Sequence, residues 1–177
     1  IKYDVNCEII IVNLNDKNFS PKSILEKAGN FNNLFVFAGT LAPHDESYSF
    51  EAINSLVRVN FLSIIQLIEL SLEILIKNKN SKLLFISSVA GDRGRKSNYI
   101  YGSTKAAINE YSSGLRNKLS KYGIHVMTVR LGFVDTPMTF GKVNNLISSR
   151  TYASKKILKA LINNKEVIYI PFFWRYI

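Results

Sequence analysis

Short β-rich runs alternate with longer helix-patterned segments along this sequence. That alternation restricts the chain to βαβ units built around a parallel sheet. Cys7 to Val12 and Leu34 to Ala38 are apolar enough for buried strands, and Leu83 to Ser87, Ile124 to Arg130 and Glu166 to Ile170 repeat the pattern. Ser20-Pro21 opens a short helix between the first two strands, with Ser20 as N-cap and Pro21 at the first helical position. Longer helices are expected over Phe50 to Lys77, Tyr99 to Tyr122 and Ser154 to Asn163. The expected fold is therefore α/β, a doubly wound parallel sheet with helices on both faces, and residues 1–177 make one domain without internal repeat or low-complexity segment.

A chain of 177 residues with 47% hydrophobic and 20% charged residues can bury a core of that kind. The one cysteine, Cys7, sits inside an apolar run and is expected to be a buried thiol, so neither a disulfide framework nor a cysteine metal site can form. His44 and His125 stand apart from any metal-ligand spacing and are read structurally, with no metal expected. The formal charge of +10 raises the question of nucleic acid. The charges are spread thinly, over Lys77, Lys79 and Lys82 at one junction and Arg93, Arg95 and Lys96 in one loop, without the interleaved aromatics of a single-strand binder. No nucleic-acid partner is expected. Gln66, Glu69 and Glu73 interrupt the most apolar stretch, Phe61 to Ile76, which suits an amphipathic helix and argues against a transmembrane span. No charged segment followed by an apolar one precedes the first strand, so the expected location is cytoplasmic.

In a sheet of this type the ligand crevice lies at the carboxyl ends of the strands. Asn13, Gly39, Ser88 and Gly132 each directly follow an apolar run. Tyr101 and Lys105 are one helical turn apart and project from the same face, so both can reach one ligand. An ammonium beside a phenol favours phenolate and makes tyrosine a usable general acid or base. Ser88, at the end of the preceding strand, can supply a hydroxyl to the same substrate oxygen. Tyr99, six residues from Lys105, faces elsewhere and is read as packing.

Ser88 followed thirteen residues later by Tyr101-Gly102-Ser103-Thr104-Lys105 resembles the short-chain dehydrogenase/reductase family, with its Tyr-x-x-x-Lys motif. Asn60, in Val59-Asn60-Phe61, lies on the long helix where that family places its catalytic asparagine. Gly132-Phe133-Val134-Asp135-Thr136 matches the loop holding the nicotinamide end of its cofactor. The resemblance implies a Rossmann-type fold and an oxidoreductase that interconverts a carbonyl and a secondary alcohol with NADP or NAD. It makes Tyr101 the proton donor or acceptor, with Ser88 orienting the substrate oxygen. Lys105 would bind the nicotinamide ribose and depress the Tyr101 pKa, and Asn60 would hold a water linking Lys105 to solvent. Cofactor contacts would come from Asn13, Leu14, Ala38, Gly39, Tyr101, Lys105, Gly132, Val134 and Thr136.

The sequence departs from the family in one large respect. No strand followed by Gly-x-x-x-Gly-x-Gly is present, so the loop that cradles the pyrophosphate at a helix N-terminus is absent. Two βα units, about sixty residues at about thirty per unit, are expected to be missing ahead of Cys7 to Val12. In the family order the missing first strand lies beside Leu34 to Ala38 and the missing second beside Cys7 to Val12. The chain is thus expected to be a fragment or an incomplete record. A catalytically incompetent fragment acting through protein contacts is the alternative to a working reductase. Smaller departures are Asn13 for the strand-end aspartate, Val36-Phe37-Ala38-Gly39 for Asn-Asn-Ala-Gly, and Leu131 for the proline before Gly132.

Gly91 to Tyr99, Phe37 to Leu41 and Val134 to Thr139 are similar to the branch that contains the keto-reductase of decaprenylphosphoryl-ribose epimerisation. That similarity implies a polar substrate, a sugar or lipid-linked sugar, and Arg93, Arg95 and Lys96 would suit an anionic or sugar-phosphate one at the cleft mouth, with simply solvated loop arginines as the alternative. The aromatic C-terminal run Ile168 to Ile177 is read as packing or pocket lining, with peripheral contact to a membrane interface as the alternative. The helix Phe50 to Lys77 carries more apolar positions than one sheet-facing stripe. In the family this helix and the Tyr-bearing helix pair across a two-fold axis, which implies a homodimer or homotetramer with Leu67, Leu70, Ile74 and Leu115 as interface candidates.

Overall fold

The computed structural model describes residues 7–41, 49–78, 80–139 and 146–177. His44 and Lys79 lie outside the described residues. The elements run α1 (Pro21–Ala28), β1 (Asn33–Val36), α2 (Phe50–Val57), α3 (Ser63–Lys77), β2 (Lys82–Ser88), α4 (Tyr99–Ser120), β3 (His125–Leu131), α5 (Arg150–Ile162) and β4 (Val167–Ile170). All strand pairs are parallel and the order is β1-β2-β3-β4, so each crossover moves the chain one position along the sheet.

Both faces of the sheet are covered. Leu83, Phe85 and Val126 point to a core built with Ile64, Ile68, Leu72 and Leu75 of α3 and Ile108, Leu115 and Leu119 of α4. Leu84, Met127, Val129 and Ile170 point the other way, onto Ala153, Ala160 and Leu161 of α5. The period of two along β2 and β3 assigns successive side chains to opposite cores, and because both are apolar the strands read as continuous hydrophobic runs.

Polar ties hold the layers in register. Arg116 on α4 donates to the Val126 carbonyl at 3.1 Å, to Thr128 Oγ1 at 3.1 Å and to the Glu166 carbonyl at 3.3 Å, joining the helix to β3 and to the turn before β4. Lys82 caps the end of α5 through the Leu161 carbonyl at 2.8 Å. His125 shares a hydrogen with the Lys165 carbonyl at 3.2 Å and so has a structural place.

Three expectations are corrected. Residues 7–13 form no strand: Ile9 is 81% and Ile11 93% exposed, and four strands rather than five are found among the described residues. A parallel strand exists only through its neighbours' hydrogen bonds, and nothing described in the chain pairs with this run. Cys7 is consequently exposed rather than buried. Leu115, 3% exposed, belongs to the core and offers no outward surface for an interface. Leu70, 43% exposed, does face out.

The stretch Phe50–Lys77 is long and apolar enough by composition to cross a membrane. Its Ile64, Ile68, Leu72 and Leu75 nevertheless pack onto the sheet, which gives that hydrophobicity a role in the core. It is helical throughout, as expected, but Arg58–Leu62 form a π turn between α2 and α3, which spacing alone does not reveal. Ile68→Ala should lower the unfolding free energy by about 2–5 kcal/mol through lost burial and the cavity left behind, and Leu70→Ala by less than about 1 kcal/mol. Urea denaturation measures both, and equal losses would contradict this assignment of faces.

Candidate active site

The site is assembled where β2 ends. Ser88 closes that strand and its hydroxyl accepts from the Ala90 amide at 3.1 Å, which starts the short turn Val89–Gly91. This turn lies directly on α4. A Cβ at Gly91 would stand 2.7 Å from the backbone of Lys105 and Ala106, and one at Gly102 would stand 2.6 Å from the Ala90 carbonyl oxygen. Only hydrogen fits at either position, so two backbones meet here without side chains between them. That contact sets the distance between Ser88 and the helix that carries Tyr101 and Lys105.

Tyr101 and Lys105 face the same side of α4, as their spacing predicts, with the Lys105 ammonium 5.7 Å from the Tyr101 ring centroid. Both are nearly inaccessible, at 9% and 4% exposure. Burial raises the Tyr101 pKa above the usual phenol value, and the hydrogen bond with Ser88 opposes it in part. The expected depression of this pKa by Lys105 is therefore not what governs the phenol: desolvation outweighs it, and Ser88 is the group that lowers it. The Lys105 pKa is itself pulled down to about 8, because burial disfavours the ammonium. Its described hydrogen bond is a long one, 3.5 Å to the Ile86 carbonyl.

Asn60 is fully buried in the π turn. Its Oδ1 accepts from the Thr40 amide at 2.7 Å, and its Nδ2 donates to the Thr40 carbonyl at 2.9 Å and to Thr104 Oγ1 at 3.2 Å. Both amide hydrogens are used, so the side chain clamps the loop after β1 to α4. The clamp brings in Gly39, where a Cβ would lie 3.0 Å from Lys105 Nζ and 3.6 Å from Asn60 Oδ1. Ala38 directly precedes it and packs against the core beneath.

Gly132, after β3, lies under the indole of Trp174, whose Nε1 would be 2.0 Å from a Cβ placed there. Ser88, Tyr101, Gly132 and Trp174 share the lining of a cavity of about 90 Å³ with Arg95, Asn98 and the apolar Leu41, Phe133 and Met138. Val134 is buried and bridges to Ser148, and the Thr136 amide donates to Thr139 Oγ1 at 3.1 Å, which folds this loop back on itself.

Asn13 and Leu14 are not part of this group. Asn13 Oδ1 accepts from the Asn15 amide at 3.0 Å and so serves its own turn. The Leu14 carbonyl accepts from Ser63 Oγ at 2.7 Å, which ties the turn to the start of α3. Sequence reasoning missed Thr40, Thr104, Gly91 and Gly102, for which the paired glycines flanking Ser88 and Tyr101 were the available signal. Trp174 belongs to the aromatic C-terminal run expected to pack or line the pocket, and it is buried and lines the cavity.

Residues 17–146 match the short chain dehydrogenase family. An uncharacterized oxidoreductase of Staphylococcus epidermidis is 30% identical over 121 residues, which is 68% of this chain and 53% of that protein. The chain thus spans about half the length of that relative. Among solved structures, a bulky-bulky ketone specific alcohol dehydrogenase from Comamonas testosteroni superposes with a TM-score of 0.80 at 20% identity, over 92% of this chain and 64% of that one. A short chain dehydrogenase from Burkholderia cenocepacia in complex with NADP does so with 0.80 at 19% identity, over 91% and 70%. With a Rossmann-type sheet and a family match over most of its length, the chain belongs to the short chain dehydrogenases.

Proposed function

We propose that the chain is the catalytic part of a nicotinamide-dependent reductase of a polar, sugar-like carbonyl compound. The convergence of Ser88, Tyr101, Lys105 and Asn60 at one strand end carries this reading. Family membership and the oxidoreductase relative support it.

The buried Lys105 ammonium has three hydrogens and one long protein acceptor, which suits the paired hydroxyls of a ribose held over Gly39. Gly132, Val134 and Thr136 would hold the nicotinamide end. NADP is present in a solved neighbour, and the cofactor of this reading is NADP or NAD. When bound, the nicotinamide supplies hydride to the carbonyl or takes it from the alcohol. The phenol of Tyr101, protonated at neutral pH and with its pKa raised further by burial, gives its proton to the carbonyl oxygen as that oxygen gains charge. The Ser88 hydroxyl donates to the same oxygen by giving up its long 3.3 Å contact with the Leu131 carbonyl. Lys105 faces the phenolate left behind and stabilises it. Asn60 fixes the loop beneath.

Arg95 and Asn98 give the cavity its polar lining and support a hydroxylated substrate such as a sugar or lipid-linked sugar. Residues 1–177 are read as one partial domain of a cytoplasmic homodimer or homotetramer, with the outward Leu70 of α3 in the interface. Light scattering at micromolar concentration checks the assembly. A second reading rests on the sequence lacking a glycine-rich phosphate turn: this stretch alone would bind the cofactor too weakly for turnover. Calorimetric titration with NADPH and NADH separates the two, since tight binding by the 177-residue chain excludes the second.

Tyr101→Phe should lower the rate of carbonyl reduction by about 10²–10⁴-fold with the fold retained. Reduced-nicotinamide oxidation and circular dichroism read the two effects, and unchanged turnover would remove the assignment. Lys105→Met tests the burial. An unfolded lysine keeps its proton to about 10.5 while the folded one loses it near 8, so stability rises with pH across that window and the full cost applies below it. The variant should gain about 2–4 kcal/mol at neutral pH, and the gain should fade as pH rises from 8 to 10.5. Denaturant titrations over this range measure it.

A further inference from the structure

A second cavity, of about 340 Å³, adjoins the first and shares Val89, Arg95 and Trp174 with it. Four arginines line it: Arg93 and Arg95 from the loop before α4, Arg130 from β3 and Arg175 from the turn after β4. Among the lining side chains Asp92 and Glu110 are the acidic ones. Two of the arginines are engaged. Arg130 donates to Asp92 Oδ1 at 2.8 Å and to the Tyr169 hydroxyl at 2.7 Å, and Arg93 donates to the main-chain oxygen of Ile177. Among the described residues Arg175 makes no hydrogen bond or ion pair, and Arg95 has only the face of Trp174, 5.5 Å from its ring centroid.

Four guanidinium groups around one cavity repel one another, and an arginine held over an indole beside two more arginines has its donors unspent. A planar fork of this kind matches an oxyanion, a phosphate or carboxylate, through paired charge-assisted hydrogen bonds. Because Arg95 and Trp174 form the partition between the two cavities, an anion bound here would belong to the same ligand whose carbonyl reaches Ser88 and Tyr101. We propose that this arginine cavity is the anion subsite of the substrate pocket, with Arg95 and Arg175 as its recognising residues, and that the substrate is a carbonyl compound carrying a phosphate or carboxylate. This deepens the reductase reading and rests on it for the carbonyl end alone.

Trp174 is the only tryptophan in the chain, so its emission reports on both cavities without any turnover. The 177-residue chain is titrated with inorganic phosphate, fructose and fructose 6-phosphate at low ionic strength. Fructose 6-phosphate should bind at least about tenfold more tightly than either of the others, as expected when one ligand fills both cavities. Arg95→Gln and Arg175→Gln should each weaken it about tenfold, Arg175→Lys, which keeps the charge but not the fork, should recover only part of the loss, and Lys77→Gln, an equal loss of charge at a distant exposed site, should leave it unchanged. Equal binding of phosphate and fructose 6-phosphate would overturn the bridging of the two cavities. An affinity that Lys77→Gln lowers as much as Arg95→Gln, or no response to anions in a chain with native circular dichroism, would overturn the site itself. Anion binding that survives alongside a complete lack of carbonyl reduction would instead count against the reductase reading and leave this site standing.

Discussion

Everything at the candidate site depends on a contact between two backbones. The turn Val89–Gly91 rests on α4 at Gly91 and Gly102 with no side chain between, and a methyl group at either glycine would meet main-chain atoms at 2.6–2.7 Å. Side chains between them would allow the helix to settle at a range of distances, whereas direct contact permits one. Ser88 and Tyr101 sit at the two ends of this contact, so their hydrogen bond follows from the packing beneath it. The same logic extends to Asn60. Its amide is used three ways by Thr40 and Thr104, and that makes the loop after β1 a fixed wall beside Lys105.

Electrostatics at the site run against stability. A lysine with 4% exposure and no described carboxylate partner costs free energy in the folded state, and the core must offset it. Hydrophobic burial on both sheet faces does so, with Ile68, Leu75, Leu83, Met127 and Val129 all fully enclosed. Burial also raises the pKa of the Tyr101 phenol. The two shifts are complementary: desolvation disfavours both charged forms, so a phenolate and an ammonium in this space favour each other far more than in water. A proton leaving Tyr101 is thereby coupled to the charge on Lys105.

The fold was largely legible because strands β2, β3 and β4 and helix α4 are strongly patterned and locally punctuated, and their observed limits differ from expectation by a residue or two. Cys7 to Val12 was misread for a physical reason: apolar composition measures fitness for burial, but a strand forms only against a neighbour, and none of the described residues pairs with this run. Tyr101 and Lys105 were readable since four residues of helix are a local fact. The π turn at Asn60 was not, because one extra residue in a helix leaves the hydrophobic pattern almost unchanged. Trp174 was readable as part of an aromatic packing or pocket-lining run, but its contact with Gly132 was not, because it joins residues from the ends of two different strands. The pKa of Tyr101 was read with the wrong dominant cause. Spacing shows which charges are near one another but says nothing about how much water has been removed.

The sheet order divides the chemistry spatially. Ser88 ends β2, Gly132 follows β3 and Trp174 follows β4, so the substrate side is built by strands that are paired and covered on both faces. On the opposite side β1 pairs only with β2 among the described residues, and Phe35 and Phe37 expose apolar surface there. In the family order this is the side on which the glycine-rich turn would stand. The half that carries Ser88, Tyr101 and Trp174 is thus covered on both faces, while among the described residues the β1 side carries an open edge and uncovered side chains. Since the Ser88–Tyr101 geometry is determined by contacts within α4, β2 and the turn between them, it does not require the open edge to be filled. The Ser88–Tyr101 packing and the open edge at β1 therefore belong to separable parts of the sheet, joined at Lys105 and Gly39.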